Sequence, residues 1–527
     1  MLGDRTLSVS PRWHPWWIVF TVRLSGAYVP LLIFALWWIA ARDHLMSAQI
    51  LPSPGGVWLT ALELGRGEIW QNIAVSLLRL GLGLLAGISF GALLGACLGA
   101  SSRLQNLVLP TFSALAQIPT LAWIPLFMVF FGIGELLKLM VLIKAVVVPI
   151  TLHTLVGVRD AQPGLREAAA VLRLPKLMLI RRLIIPAAMP SFMAGVRLAL
   201  SAGWSSLLAV ELLASSEGIG YLMVWARQLF MLDIVFVCIA VIGLIGVVLD
   251  LLIGWVDQKT VHWPHPPTSR LKRFHRPGGR QSLTALYLPL TLLVLWQTAY
   301  QLHWVDREIL VSPLRVLGTL FAGMLDASLL HAISSSLTRA LMGLLIGGFF
   351  GLAAGLLLGL SRPAERLFGP SLGALRQIAI FAWVPLLTAW FGLGESAKWV
   401  FVSFAAFFPL YIATHRSVAS QSEQLNEVAL VLGLNLQQRL RKFVLPGAAP
   451  GICSGLRLSL IYSWLGAIGS EYFMPSNGGI GSLMIGAQQL MDMDKIMAAM
   501  LLVGITGGMI NHLGHRIEAR VTRWRQA

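Results

Sequence analysis

Charged side chains inside long apolar stretches are the residues of this sequence that point most clearly to chemistry. Glu211 and Glu471 stand in two such stretches, and Lys144 stands in a third. A charge within a membrane is costly, so it usually pairs with another polar group or serves a moving solute. Glu211 and Glu471 therefore predict a gate or a helix-pairing contact. Lys144 has three open interpretations, which are attraction of an anion, an internal partner, or reach to the membrane surface.

Four uncharged residues are candidates to line a pathway. They share a repeated Gln-Ile-x-x-x-Ala-Trp run and are Gln117, Trp123, Gln377 and Trp383. An ordinary contact between helices is the alternative for each of them.

A second pattern joins a glutamate to small residues and to a later pair of prolines. Its two copies comprise Glu167, Ala168, Ala169, Pro186 and Pro190, and Glu427, Ala429, Gly433, Pro446 and Pro450. Small residues after the glutamate predict a short helix with a flat face that a partner protein can approach. The prolines are expected to stop a second short helix before the next apolar stretch. A basic loop lying on lipid headgroups is the alternative for a single copy.

Several kinds of chemistry find no support in the sequence. The chain has no Gly-Lys pair, so it lacks the phosphate-binding loop G-x-x-x-x-G-K-[ST]. Its 11 histidines are scattered without metal-ligand spacing, and its 3 cysteines lie in apolar runs. We therefore predict no catalytic residue, no metal and no cofactor.

The composition identifies the surroundings in which these residues must act. The chain is 57% hydrophobic and 12% charged, whereas soluble domains carry about 25% charged residues. Only a bilayer can accommodate so much apolar surface. The net charge of +17 comes mainly from short basic loops, which indicates membrane topology rather than a nucleic-acid partner.

The chain contains two copies of one repeated unit. A shift of 260 residues superimposes residues 117–138 on residues 377–398, with 11 of 22 positions identical. The same shift aligns two glycine ladders of period four, which start at Gly83 and Gly343 and predict close helix packing. We expect two tandem six-helix units in an all-α polytopic membrane protein, related by a pseudo-twofold axis along the membrane normal.

Six apolar stretches of spanning length occur in each unit, giving about 12 transmembrane helices. They lie near residues 26–41, 75–99, 107–131, 136–157, 191–213 and 234–256, and near 283–300, 334–359, 367–391, 396–414, 451–473 and 496–514. The expected domains are 1–257 and 283–527, separated by a basic linker at 258–282. The Lys- and Arg-rich loops near 158–190 and 415–450, the linker and the tail all fall on one side, which predicts cytoplasmic termini.

The loops near 158–190 and 415–450 resemble the EAA loop of bacterial ABC importer permeases. The spacing from Glu167 to Pro186 is 19 residues, as is the spacing from Glu427 to Pro446. Arg173 and Val428 depart from the family's Gly and Ala. The resemblance implies a pore in the bacterial inner membrane, with two ABC ATPase subunits held at these coupling loops. It also implies a periplasmic or lipid-anchored solute-binding protein.

The Gln-Ile-x-x-x-Ala-Trp-x-Pro-Leu run is similar to that of nitrate, sulfonate and taurine permeases. That resemblance implies transport of a small oxyanion or organosulfonate. Most such permeases have one six-span unit that dimerises, so the fusion permits an asymmetric pathway.

Two other functions compete with this interpretation. A secondary transporter driven by an ion gradient would require membrane carboxylates arranged as ion relays. A polytopic membrane enzyme would require clustered His, Asp or Glu at the membrane interface.

Overall fold

The computed structural model describes residues 25–159, 169, 171–261, 279–304, 306, 309–420, 433, 435–475 and 478–523. Within these ranges the secondary structure is helical and contains no strand, which confirms the all-α prediction. The helices of the first half are α1 (Tyr28–Arg42), α2 (Pro54–Gly65), α3 (Glu68–Ala100), α4 (Ser102–Ala116), α5 (Ile124–Phe131), α6 (Glu135–Arg159), α7 (Lys176–Leu179), α8 (Ile185–Ala214), α9 (Ile219–Gln228) and α10 (Leu232–Thr260).

The second half repeats this order, so that α1 corresponds to α11, α2 to α12, and so on to α10 and α20; we call two such helices twins. Its helices are α11 (Gly279–Gln301), α12 (Pro313–Leu325), α13 (Ser328–Leu360), α14 (Arg362–Gln377), α15 (Val384–Phe391), α16 (Glu395–Ala419), α17 (Leu436–Arg439), α18 (Leu445–Phe473), α19 (Ile480–Gln489) and α20 (Met493–Val521). Helix α10 ends inside the predicted linker, and α11 begins inside it.

The glycine ladders hold the central helix pair of each half together. A Cβ atom at Gly87 in α3 would lie 2.6 Å from Val146 in α6, and one at Gly91 would lie 3.0 Å from Ile150. In α13, a Cβ atom at Gly355 would lie 2.6 Å from Thr414 of α16. These distances leave no room for a side chain, so the ladders serve close packing, as predicted.

One predicted span in each half is broken. Helices α4 and α5 meet at an angle of 89°, and their twins α14 and α15 meet at 92°. The predicted spans near 107–131 and 367–391 are therefore not continuous helices. Pro125 and Pro385 stand in the first turn of α5 and α15, where a missing backbone N–H is tolerated, and each begins a new helix instead of extending the old one.

The described part of the chain contains 8 helices long and apolar enough to cross a membrane, or up to 10 if each bent pair counts as one span. The chain is thus a multi-pass membrane protein. Twelve spans remain a prediction, which would also require α1, with 15 residues, and α11 to cross.

The two halves share one hydrophobic core at the broken helices. The segment Leu121–Trp123 between α4 and α5 packs on α18 of the other half, and Ile380–Trp383 packs on α8. A Cβ atom at Gly469 would lie 3.2 Å from Leu121 and 3.0 Å from Phe381, so both breaks reach the same point. The halves therefore interlock at these two breaks, residues 117–123 and 377–383, which we call the elbows.

Candidate functional site

A charge network, buried at Arg79 and Glu211 and exposed at Glu135, occupies one end of the first half. Arg79 of α3 donates from Nη1 to Glu211 Oε1 of α8 at 3.0 Å. The same guanidinium donates to both carboxylate oxygens of Glu135 in α6, at 2.7 and 2.6 Å. The Glu211 side chain is 0% exposed and that of Arg79 is 5% exposed. Charge-assisted, bidentate hydrogen bonds of this kind are among the strongest in proteins, so Arg79 ties three helices together.

The same network holds the start of the short helix α9. Glu211 accepts from Ser76 Oγ at 2.8 Å and from the backbone N–H of Gly220 at 3.1 Å. Ser76 Oγ in turn accepts from the N–H of Ile219 at 3.0 Å. The first N–H groups of a helix have no partner within the helix, and these side chains supply one. The position of α9 is thus linked directly to the buried charges.

The second half contains the same network. Arg339 Nη1 donates to Glu471 at 2.6 Å and also bonds both oxygens of Glu395 at 2.8 and 2.6 Å. Glu471 accepts from Ser336 and from the N–H of Gly481, each at 2.7 Å. Two copies with the same partners indicate that each half is built around this arrangement.

Each network balances its charges. Lys138 Nζ lies 2.7 Å from Glu135, and Lys398 Nζ lies 3.3 Å from Glu395. Two cations and two carboxylates therefore neutralise each other in each half, which limits the cost of burying ions in an apolar bundle. The sequence analysis assigned no role to Arg79 or Glu135. Both residues recur 260 positions later, as Arg339 and Glu395, and this recurrence of an ionisable residue could have identified them.

Glu211 and Glu471, the predicted gate or helix-pairing residues, thus lie in contacts between helices. They stand at the end of the bundle where α6 and α16 begin, which we call the network end. The predicted coupling loops follow the other end of these helices, which we call the coupling end. A helix of 25 residues is about 37 Å long, so the two ends are far apart.

At the coupling end, Glu167, Ala168, Glu427 and Ala429 lie outside the described residues. Ala169 is described and is buried. It lines a cavity of about 440 Å³ together with Arg173 and Ile184. The docking assignment of these loops stays a prediction.

The turn after the glutamate has a positive φ at the matching position of both halves. Gly433 has a φ of 60° and Arg173 has a φ of 47°, both in the left-handed region. Most residues avoid that region because the Cβ atom meets the backbone, whereas Gly does not. The departure at Arg173 therefore leaves the turn intact, at the cost of local strain.

The expectation that prolines stop the short helix after this turn is wrong. The chain runs as one helical span from Leu177 to Ala214, and the second half does so from Gln437 to Phe473. A π-helical turn at Ile180–Ile184 precedes Pro186, and the N–H of Ile185 bonds the carbonyl of Ile180. The wider turn accommodates a ring that would disrupt regular α-helix. Pro190 and Pro450 lie inside the long helices α8 and α18, and Pro446 stands in the first turn of α18.

The candidate pathway residues cluster at the elbows. The carbonyl of Gln377 lies against Gly246 of α10, and that of Gln117 lies against Gly507 of α20, each in the opposite half. Both glutamines therefore sit in contacts between the halves. Gln377 Nε2 also approaches Asp250 Oδ2 at 3.4 Å.

Lys144 reaches the elbow of its own half. Its Nζ donates to the carbonyl of Ile118 at 2.7 Å and to Thr120 Oγ1 at 3.3 Å. It also lies 5.7 Å from the centre of the Trp123 ring. The Lys144 ammonium group is thus hydrogen-bonded within the protein, and its attraction of an anion stays a prediction.

Trp383 corresponds to Trp123 after the shift of 260 residues, and we call two such residues twins. Trp383 has a different neighbour. Its ring stacks on Phe404 at 5.5 Å with an interplanar angle of 12°. Phe404 is the twin of Lys144.

Comparison with known proteins identifies the repeated unit. The family described as "binding-protein-dependent transport system inner membrane component" matches residues 87–262 and again residues 347–526. The chain is 32% identical over 254 residues to a putative aliphatic sulfonates transport permease protein SsuC of Bacillus subtilis, covering 48% of this chain and 92% of that protein.

Two further relatives also match about half of this chain over nearly their whole length. The taurine transport system permease protein TauC of Escherichia coli is 30% identical over 269 residues, covering 50% of this chain and 97% of TauC. The bicarbonate transport system permease protein CmpB of Synechococcus elongatus is 32% identical over 270 residues, covering 47% of this chain and 94% of CmpB. One relative thus corresponds to about half of the chain.

Proposed function

This chain belongs to the family of binding-protein-dependent transport system inner membrane components, and we propose that its two halves together form the complete pore of an ATP-driven ABC importer. The observation that carries the proposal is the double family match, at 87–262 and 347–526, on two halves that interlock at the elbows. A pore that needs two such units obtains both from one chain.

The partners follow from the two ends of the bundle. We assign the coupling end to the cytoplasm and to two separate ATPase subunits, one at each coupling loop. The network end then faces a periplasmic or lipid-anchored solute-binding protein. The chain lies in the bacterial inner membrane with both termini cytoplasmic, and ATP hydrolysis belongs to the partner subunits.

The helices α6 and α16 are the mechanical link in this proposal. Each carries a coupling loop after its last residue and a carboxylate of the charge network at its first, Glu135 or Glu395. When the ATPases close, the loops move and these helices tilt as packed units. The network end then opens or closes, with Glu211 and Glu471 as gate residues that hold α9 and α19.

The transported solute is a small oxyanion or an organosulfonate, such as sulfonate, taurine or nitrate. Three relatives carry names that include aliphatic sulfonates, taurine and bicarbonate. The candidate pathway runs between the elbows, past Gln117, Trp123, Lys144, Gln377 and Trp383.

Charge reversal at the coupling loops tests the coupling assignment. We expect Glu167→Lys with Glu427→Lys to abolish ATP-driven uptake by the reconstituted importer, while the protein still inserts and the ATPases still hydrolyse ATP. The matched control is Glu63→Lys with Glu68→Lys, two exposed residues at the network end. That variant should retain uptake. Undiminished uptake by the coupling-loop variant would contradict the assignment.

A further inference from the structure

The two elbows differ in polarity although the folds around them match. Lys144 and Thr120 of the first half have Phe404 and Ile380 as twins. Trp123 and Trp383 are identical at the same elbows. The first elbow is thus cationic and polar, whereas the second is apolar, and a symmetric pair of identical units would present the same chemistry twice.

Lys144 has hydrogen-bond acceptors but no counter-charge within the described part of the chain. Its described partners are a carbonyl, a hydroxyl and an aromatic face, and no Asp or Glu forms an ion pair with it among the described residues. The buried networks of the same bundle match every cation with a carboxylate. An unmatched cation within a span is costly, and that cost is relieved when an anion binds.

The second elbow carries an aromatic wall instead. Trp383 stacks on Phe404, and beside them Phe381 packs on Phe401 and Phe473 at 5.7 and 5.4 Å between ring centres. The twins of these three phenylalanines are Leu121, Val141 and Leu213. Aromatic faces favour apolar or flat groups and also tolerate C–H contacts.

Both elements lie where the halves meet. Leu121 and Phe381, one from each elbow, approach the same residue, Gly469. Lys144, Trp123, Trp383 and Phe404 are each half-buried, whereas Ala122, Ala382, Val146 and Ala406 beside them are fully buried. Residues that line a path between two packed halves are expected to keep some exposure, whereas core residues are not.

We propose that the solute passes the elbows in one fixed orientation, with its anionic group toward Lys144 and its apolar body against Trp383 and Phe404. This inference rests on the proposed importer function and adds to it the residues that determine specificity. The solute class is an organic anion, with one charged end and one carbon-containing end. An inorganic oxyanion would use only the Lys144 side and gain nothing from the aromatic wall.

The test uses the complete importer, with its ATPases and binding protein, reconstituted in proteoliposomes. Initial ATP-driven uptake is measured for two probes, butanesulfonate and sulfate, at matched concentrations. Lys144→Met should lower uptake of transported probes at least about tenfold, which corresponds to about 1.4 kcal/mol. Phe404→Leu should lower butanesulfonate uptake about fivefold and leave any sulfate uptake within twofold.

A residue exchange separates specificity from damage to the fold. Lys144→Phe alone should abolish uptake, whereas Lys144→Phe combined with Phe404→Lys restores one cation and one aromatic ring across the path. We expect the exchanged importer to recover at least about a third of wild-type butanesulfonate uptake, because the pseudo-twofold axis relates the two positions. ATP hydrolysis and co-purification of the ATPases report intact assembly.

The outcomes distinguish the inference from the proposed function. If the wild-type importer moves neither probe with ATP, nor any other anion that its binding protein accepts, the proposed function itself is wrong. If wild-type uptake depends on ATP but Lys144→Met leaves it unchanged, the orientation inference alone is overturned. Equal losses for butanesulfonate and sulfate in Phe404→Leu would also overturn it.

Discussion

At the scale of single residues, the molecule is organised by ions that are buried and matched. Arg79 and Arg339 each contact two carboxylates that belong to different helices. A buried ion pair adds little stability relative to apolar packing, but loss of one partner leaves an uncompensated charge. The networks therefore specify which helices meet.

Removal of Arg79 should cost more than removal of both charges. Arg79→Gln leaves Glu211 buried without a cation, and we expect a loss of about 3–5 kcal/mol in unfolding free energy. The double variant, Arg79→Gln with Glu211→Gln, should be clearly more stable than the single variant. The amide introduced at position 211 is uncharged and keeps hydrogen bonds to Ser76 and Gly220. Thermal unfolding of the purified protein in detergent measures both. A double variant no more stable than the single would show that the charge itself does not matter.

The left-handed turns of the coupling loops provide a matched pair of positions. Gly433→Ala places a Cβ atom at a φ of 60° and should destabilise that turn by about 1 kcal/mol. Arg173→Ala should change little, because Arg173 already carries a Cβ atom at a φ of 47°. Hydrogen exchange of the amides that follow each turn should then rise about fivefold in the first variant only. Equal effects would contradict the shared turn geometry.

At the scale of elements, close helix packing depends on which face of a helix a glycine occupies. Gly87 faces Val146 across the α3–α6 contact, whereas a Cβ atom at Gly81, in the same helix, would meet nothing within 4 Å. Gly87→Ala should therefore lower stability by about 1–3 kcal/mol through overpacking. Gly81→Ala should be neutral or stabilising by up to about 1 kcal/mol. Chemical denaturation compares the two, and similar losses would refute the packing role.

Most of the helical layout could be predicted from the sequence, because apolar stretches in lipid must be helical and the repeat locates them twice. The elbows could not, since mean hydropathy is the same for a straight helix and for one bent by 89°. The π-turn before Pro186 was missed for a related reason, because proline signals a disturbance without saying whether the helix stops or widens.

The candidate site was predicted in part. Glu211, Glu471 and Lys144 were identified because an ion in an apolar stretch is conspicuous. Their partners come from helices distant in sequence, such as Arg79, 132 residues before Glu211. Spacing along the chain carries no information on such contacts, so only the packed structure brings the networks together.

At the scale of the whole molecule, duplication and fusion have different consequences. Duplication supplies matching networks, ladders and elbows in the two halves. Fusion lets the halves diverge, and one divergence lies at the elbows, where Lys144 lies beside Trp123 in one half and Phe404 takes its place beside Trp383 in the other. The scaffold is thus symmetric while the proposed path is not.

The central claim is that this chain is a pore moved by external ATPases and has no power source of its own. The most direct measurement is accumulation of a solute accepted by the binding protein in proteoliposomes, with and without the ATPase subunits and ATP. We predict accumulation only when the chain, both ATPases, the binding protein and ATP are all present. Accumulation by the chain alone, driven by a proton or sodium gradient, would contradict the account.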